Sequence, residues 1–189
     1  MLSQLRPALV SLLLLTLITG VAYPLAVTSV AKVAFPEKAK GSVIVVNGKP
    51  VGSALIGQQF TDPKYFWSRP SATGPEPYTG EAGSGSNLAQ TNPALLESVK
   101  LRVAALQAAD PGNSLPIPIE LVTASASGLD PEISPAAAEY QLARVARARG
   151  MSQDKLRKVV SQFTQDRSFG VLGEPRINVL QLNLALDAQ

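Results

Sequence analysis

The sequence predicts an α+β fold: a single N-terminal transmembrane helix, then a compact extramembrane domain with a small sheet and about three to four helices. Three observations carry this reading. The chain begins with an uncharged apolar run from Pro7 to Ala31, 25 residues bracketed by Arg6 and Lys32. Two β-branched runs flank Asn47-Gly48, the strongest short hairpin signal a sequence offers. Beyond Thr91, apolar residues recur at helical spacing between clear start and stop residues.

At about 1.5 Å per residue the apolar run reaches roughly 37 Å as a helix, more than the ~30 Å hydrocarbon core, and so spans it with tilt. Leu12–Leu15 with Leu17 and Ile18 form its centre. Tyr23 and Pro24 lie toward the far end, where an interfacial aromatic and a kink are tolerated. A cleaved signal peptide is the competing reading, with Arg6 as the charged region, Ala8–Ile18 as the apolar region and Gly20-Val21-Ala22 as a small-x-small cleavage site. The apolar character nevertheless continues for nine residues past Ala22, which a cleaved leader does not need. The anchor reading divides the chain into a flank (1–6), a transmembrane helix (7–31), a linker (32–41) and an extramembrane domain (42–189).

Composition agrees and excludes several chemistries. Of 189 residues 46% are hydrophobic and 16% charged, and the mean hydropathy of +0.13 points to the membrane class. Arg6 and Lys32 are the only charges in the first 32 residues, so 15 of the 17 basic groups face all 14 acidic ones in the remainder. That near-neutral remainder is no footprint for nucleic acid. With no Cys and no His, disulfide scaffolds, Cys/His zinc sites, cysteine nucleophiles and imidazole-based triads lack their essential atoms. A literal count of Lys32, Lys38 and Lys40 against Arg6 favours the C-terminal side inside, but long domains cross largely regardless of charge. A short N-terminal flank before a single span fits the N-terminus inside and the domain out.

Within the domain, Ser42–Val46 and Val51–Ile56 are the two hairpin strands, with Pro50 restricting the second to an edge or delaying its start. The segment Gly57–Gln90 is rich in Gly, Pro and Ser yet holds Phe60, Tyr65, Phe66, Trp67 and Tyr78, half of the chain's aromatics. Disordered segments are aromatic-poor and long loops are usually functional, so it is ordered by a partner or by its own rings. Asn92-Pro93 starts a helix through Leu95, Leu96, Val99, Val103 and Leu106, stopped at Asp110-Pro111-Gly112. Ile117–Thr123 reads as a strand after alternating prolines. Ser134-Pro135 opens a helix ended by Gly150, Ser152 caps another over Gln153–Phe163, and Asn178 tips the Val179–Leu186 tail to helix over strand.

Each motif has a plain alternative. Ser152-Gln153-Asp154-Lys155 fits an S-x-x-K hydrolase in which Lys155 activates Ser152, but the companion motifs are absent and Ser152 has an ordinary role as a helix cap. Gly41 to Gly48-Lys49 has the wrong spacing for a phosphate loop, and Pro50 replaces its hydroxyl. The stretch Gly83, Ser84, Gly85, Ser86, Asn87 offers backbone N–H groups to a nucleotide phosphate, or is simply a turn. Asp130 and Glu132 read as a solvated turn. Arg144, Arg147 and Arg149 with Arg157 and Lys158 form a basic face, either solvated or meeting acidic partner residues or lipid headgroups. Tyr65, Phe66, Trp67 and Arg69 are of the residue types that anchor interfaces and form the best partner-contact candidate, with core packing the alternative for Phe66 and Trp67.

Five stretches then carry a resemblance: Gly57-Gln58 with Phe60–Ala72, Gly83–Leu88 leading to Thr91-Asn92-Pro93, Leu121–Ala138, Arg144–Gly150, and Gly170–Asp187. Nearly end to end, the chain resembles the C subunit of the bacterial Kdp high-affinity potassium-transporting P-type ATPase. The resemblance implies a single-span accessory subunit without a catalytic site or cofactor of its own. Its expected partners are a K⁺-conducting A subunit, an ATP-hydrolysing B subunit and a small F subunit, with ATP and K⁺ handled by the complex. It also implies a role in assembly and as a catalytic chaperone raising the ATP affinity of the B subunit. The N-terminus is expected in the cytoplasm and the domain outside the cell membrane, near the K⁺ entrance. An outer domain reaches ATP only through coupling across the assembly. Lacking histidine, the chain shares no imidazole-based mechanism with that family.

Overall fold

The computed structural model describes residues 2–189 and divides the chain into two compact units that part within the first strand, after Ile44. In the first unit a 30-residue helix, α1 (Leu5–Ala34), is long and apolar enough to cross a membrane. Its apolar side chains are exposed along its length. A widened π turn at Ile18–Ala22 precedes Tyr23-Pro24. Pro24 has no N–H to donate and its ring crowds the carbonyl four residues back, so a wider turn just before it relieves the clash. Thr19 and Ser29 donate their hydroxyls to the carbonyls of Leu15 (2.7 Å) and Leu25 (2.8 Å), which satisfies these two polar groups within the helix itself. Lys32 through Ala34 continue α1, and Pro36–Ala39 form the one-turn helix α2, within the stretch read as linker.

Strands β1 (Val43–Val46) and β2 (Lys49–Ser53) form a two-stranded sheet. Asn47 and Gly48 turn it with φ of 51° and 76°, the pair of positive angles a type I′ turn needs. Pro50 lies inside β2, which starts earlier and stops sooner than expected; in a sheet of two strands each is an edge, so a missing N–H is tolerated.

The second unit is built on four helices: α3 (Pro93–Ala109), α4 (Pro135–Arg149), α5 (Gln153–Phe163) and α6 (Val179–Asp187). The caps read from sequence are in place. Asn92, Ser134, Ser152 and Asn178 each accept a backbone N–H with their side chains, and Gly150 closes α4 at φ 63° in the left-handed region. A three-stranded antiparallel sheet, unforeseen in the sequence, joins β3 (Glu132–Ile133), β4 (Thr164–Gln165) and β5 (Arg176–Asn178) in the order β3-β5-β4. Ile177 pairs with both Ile133 and Thr164 and is fully buried. The core gathers Leu142 and Val145 of α4, Leu156 and Val160 of α5, Val179 and Leu182 of α6, and Phe66 from the long loop.

The strand expected over Ile117–Thr123 is corrected. Ile119–Leu121 form a 3₁₀ turn in which Leu121 and Val122 donate to the carbonyls of Pro118 and Ile119. Pro116 and Pro118 withhold two of the donors a ladder needs. Along α3, Leu96 and Leu101 remain exposed while Leu106 is buried, so its apolar surface is only partly covered.

Candidate docking surface

The long loop is ordered by its own chain. Asn183 on α6, 1% exposed, accepts from Phe66 N–H and donates to Phe66 C=O, both at 2.9 Å. Gln141 on α4 does the same for Trp67, accepting at 2.7 Å and donating at 3.2 Å. Two side-chain amides therefore replace the strand partner that these two backbone residues lack. Arg144 donates to Pro63 C=O (2.7 Å) and to Gln141 Oε1 (2.7 Å), and its guanidinium lies 4.3 Å from the Trp67 ring centroid. Arg149 donates to Lys64 C=O and Leu186 C=O and pairs with Asp187, which also accepts from Tyr65 Oη.

These contacts correct the expected basic face. Arg144 is buried, and burial lowers its pKa to about 10, partly offset by Asp110. Arg147 pairs with Asp110, and Arg157 with Glu139 and Asp154. Arg144 and Arg149 are thus turned inward, whereas Arg147, Arg157 and Lys158 stay exposed as a solvated face, the first two paired within the domain. Asp130 and Glu132 are not a solvated turn: Asp130 pairs with Arg69 at 2.9 Å, and Glu132, in β3, with Arg176 at 2.9 Å.

The four aromatic-loop candidates separate. Phe66 is 0% exposed and belongs to the core, so its ring is closed to any partner. Tyr65, Trp67 and Arg69 are part-exposed. The phenol of Tyr65 is raised chiefly by its hydrogen bond to Asp187. Tyr78, deeper in the loop, donates to Arg69 C=O, and burial pushes its phenol up to about 12.

In Gly83–Asn87 the glycines are needed for close packing. A Cβ on Gly85 would stand 2.9 Å from Ala126 O, and one on Gly83 would stand 3.3 Å from a Leu129 methyl. Ser84, Ser86 and Asn87 face solvent. Ser152 Oγ accepts the backbone N–H of Lys155 at 3.3 Å, as a cap does. Among the described residues no group of three or more His, Cys, Asp or Glu is placed to hold a metal ion.

A further feature escaped the sequence reading. The connection from β4 to β5 folds into a finger. Ser168 and Leu172 exchange two backbone hydrogen bonds (2.8 and 2.9 Å), Phe169 and Gly170 turn the tip at φ 55° and 76°, and Arg167 grips Glu174 through two contacts of 2.7–2.8 Å at the base. The tip presents Phe169 at 93%, Val171 at 73% and Leu172 at 59% exposure. Its trace in the sequence is an apolar cluster between Gly170 and Gly173 with opposite charges seven residues apart. Three large apolar side chains held clear of the core on a closed turn are a surface shaped for contact.

Fold and surface together define a class: one helix able to cross a membrane, an α+β domain strapped by buried arginines and amides, and an apolar finger left for contact. The family model described as KdpC, "K+-transporting ATPase, c chain", matches residues 5–188. Proteins described as the potassium-transporting ATPase KdpC subunit are similar over nearly the whole length. The one from Polaromonas naphthalenivorans is 64% identical over 97% of this chain and 94% of its own. The one from Sorangium cellulosum is 61% identical over 99% and 98%, and that from Dechloromonas aromatica 62% over 97% and 96%. The chain belongs to the KdpC family, the c chain of K⁺-transporting ATPases.

Proposed function

We propose that this chain is a non-catalytic accessory subunit of an ATP-driven potassium import complex, held in the cell membrane by α1 and docked to the larger subunits through its finger. The observation that carries the docking is the exposed Phe169-Gly170-Val171-Leu172 tip, whereas Phe66 of the long loop is buried in the core and Tyr65 and Trp67 are only part-exposed. Apolar tips of this kind gain about 25 cal/mol for each Å² of surface they bury. The paired Arg167 and Glu174 leave the finger base neutral, which suits an apolar cleft on a protein better than a charged one. The N-terminus lies in the cytoplasm and the domain outside, near the K⁺ entrance of the A subunit. Support comes from the near-neutral charge of the residues that follow α1.

The subunit binds no cofactor of its own; K⁺ passes through the A subunit and ATP is hydrolysed by the B subunit, with a small F subunit completing the assembly. Its catalytic-chaperone action on ATP affinity then operates through coupling across the complex. A direct nucleotide contact would fall to the exposed Ser84, Ser86 and Asn87, and azido-ATP labelling confined to the B subunit rules it out. The test of docking is co-purification through a tagged chain. Phe169→Asp with Leu172→Asp reduces recovery of the other subunits at least tenfold while the domain's unfolding midpoint stays within experimental error. Full recovery of the complex with both substitutions refutes the reading.

A further inference from the structure

A cavity of about 390 Å³ lies between the aromatic loop and the C-terminal half of α3. Its apolar walls are the rings of Phe60, Trp67 and Tyr78 with Leu106 and Leu121. Its charged lining is Arg69 and Arg102, and no Asp or Glu lines it.

Neither guanidinium is fully engaged. Arg69 gives NH1 to Asp130, but its Nε is buried with no hydrogen-bond partner. A buried donor left open costs about 1–3 kcal/mol, so its retention calls for an acceptor. Arg102 donates one bond, from NH1 to Val122 C=O at 2.9 Å, and makes no ion pair among the described residues. Burial lowers its pKa, as expected for a cation taken from water without a counter-charge. Elsewhere in the domain buried or half-buried arginines have their demands met: Arg144 by carbonyls and an aromatic face, Arg149 by Asp187, Arg176 by Glu132. The two arginines of the cavity stand apart from that pattern.

Aromatic and aliphatic walls with two under-used guanidiniums specify a ligand by chemistry. The structure assigns to this cavity a small amphiphile: an apolar body, chain-like or flat, ending in one oxyanion that accepts from the guanidiniums of Arg69 and Arg102. A carboxylate and a phosphate monoester share that chemistry. It is available both from a free amphiphilic acid and from an anionic lipid of the bilayer that anchors the chain. The assignment is independent of which subunit the finger meets.

Trp67 is the only tryptophan of the chain and lines the cavity, so its fluorescence reports occupancy there. The full chain is placed in phosphatidylcholine nanodiscs with a tryptophan-free scaffold and titrated with decanoate, and separately with decyltrimethylammonium. A saturable change with decanoate is expected, with no matching response to the cationic amphiphile. Arg102→Gln moves the midpoint at least fivefold higher, whereas Arg102→Lys stays within about twofold. Ala105→Phe fills the cavity from α3 and abolishes the response, which covers the case in which Arg102→Gln fails to fold. The same change in discs containing phosphatidic acid, without decanoate, identifies the lipid as the source; its absence there alongside a decanoate response identifies the free acid. Equal responses to the two amphiphiles, an unchanged midpoint in Arg102→Gln, or no response from either source overturns the assignment.

Discussion

Replacing Asn183 with Leu tests whether side-chain amides hold the long loop to the domain. Asn183 is 1% exposed and makes both hydrogen bonds to Phe66, each 2.9 Å, while the Phe66 ring is fully buried. Leu matches Asn in size but neither donates nor accepts. The backbone N–H and C=O of Phe66 are then left in the core unpaired, at about 1–3 kcal/mol each. The sum, about 4 kcal/mol, is a large part of the 5–15 kcal/mol typical of a folded domain. At roughly 3 °C per kcal/mol for a domain of this size, Tm falls by about 12 °C. The assay is urea and thermal unfolding of the full chain in maltoside micelles, followed by Trp67 fluorescence. Asn183→Asp sharpens it. Its carboxylate still accepts from Phe66 N–H but repels Phe66 C=O, whereas its protonated form serves both. Burial raises the folded-state pKa of such an acid, so its stability is greatest below the unfolded carboxyl value and is lost as pH rises through the folded one. An Asn183→Leu variant within 1 kcal/mol of the parent, or an Asn183→Asp variant insensitive to pH between 4 and 8, would refute the strap.

Two further outcomes follow from other parts of the loop. Burial raises the Tyr78 phenol to about 12, so above pH 10 the unfolded chain ionises first. Stability should fall by up to about 2 kcal/mol between pH 10 and 12, and the parent-minus-Tyr78→Phe difference in urea midpoint isolates that loss. Gly85→Ala brings a Cβ to 2.9 Å from the fixed carbonyl of Ala126, while Gly83→Ala meets only a movable Leu129 methyl at 3.3 Å. Denaturant unfolding should show Gly85→Ala costing about 1–3 kcal/mol and Gly83→Ala well under half of that.

What the sequence made legible was local. Helix caps and the Asn47-Gly48 turn depend on residues within four positions of one another, the uncharged run is one contiguous segment, and each stands where the pattern placed it. The three-stranded sheet was illegible because strands of two or three residues show no alternation, and β3 pairs with β5 across more than forty residues. Arg144 and Arg149 of α4 looked solvated because their spacing says nothing of the acceptors waiting across the fold; Pro63 and Lys64 are more than eighty residues away. The finger was hidden for a related reason. Apolar residues in a sequence argue for a core, and only the fold shows that Phe169 stands outside it.

The same long-range contacts bear on function. A loop of nearly forty residues without helix or strand loses much conformational entropy on ordering, about 1–2 kcal/mol for each backbone residue fixed. Gln141, Arg144, Arg149 and Asn183 hold it from α4 and α6 with bonds that are mostly buried or charge-assisted. That ordering cost is met during folding, before any partner arrives, so the part-exposed faces of Tyr65 and Trp67 and the walls of the neighbouring cavity are pre-organised. A pre-organised surface loses little on binding. Arg144 and Arg149 therefore act on this surface indirectly, by keeping the loop rigid. Substituting them should weaken assembly only to the extent that it loosens the loop, and Trp67 fluorescence reads both effects in the same sample.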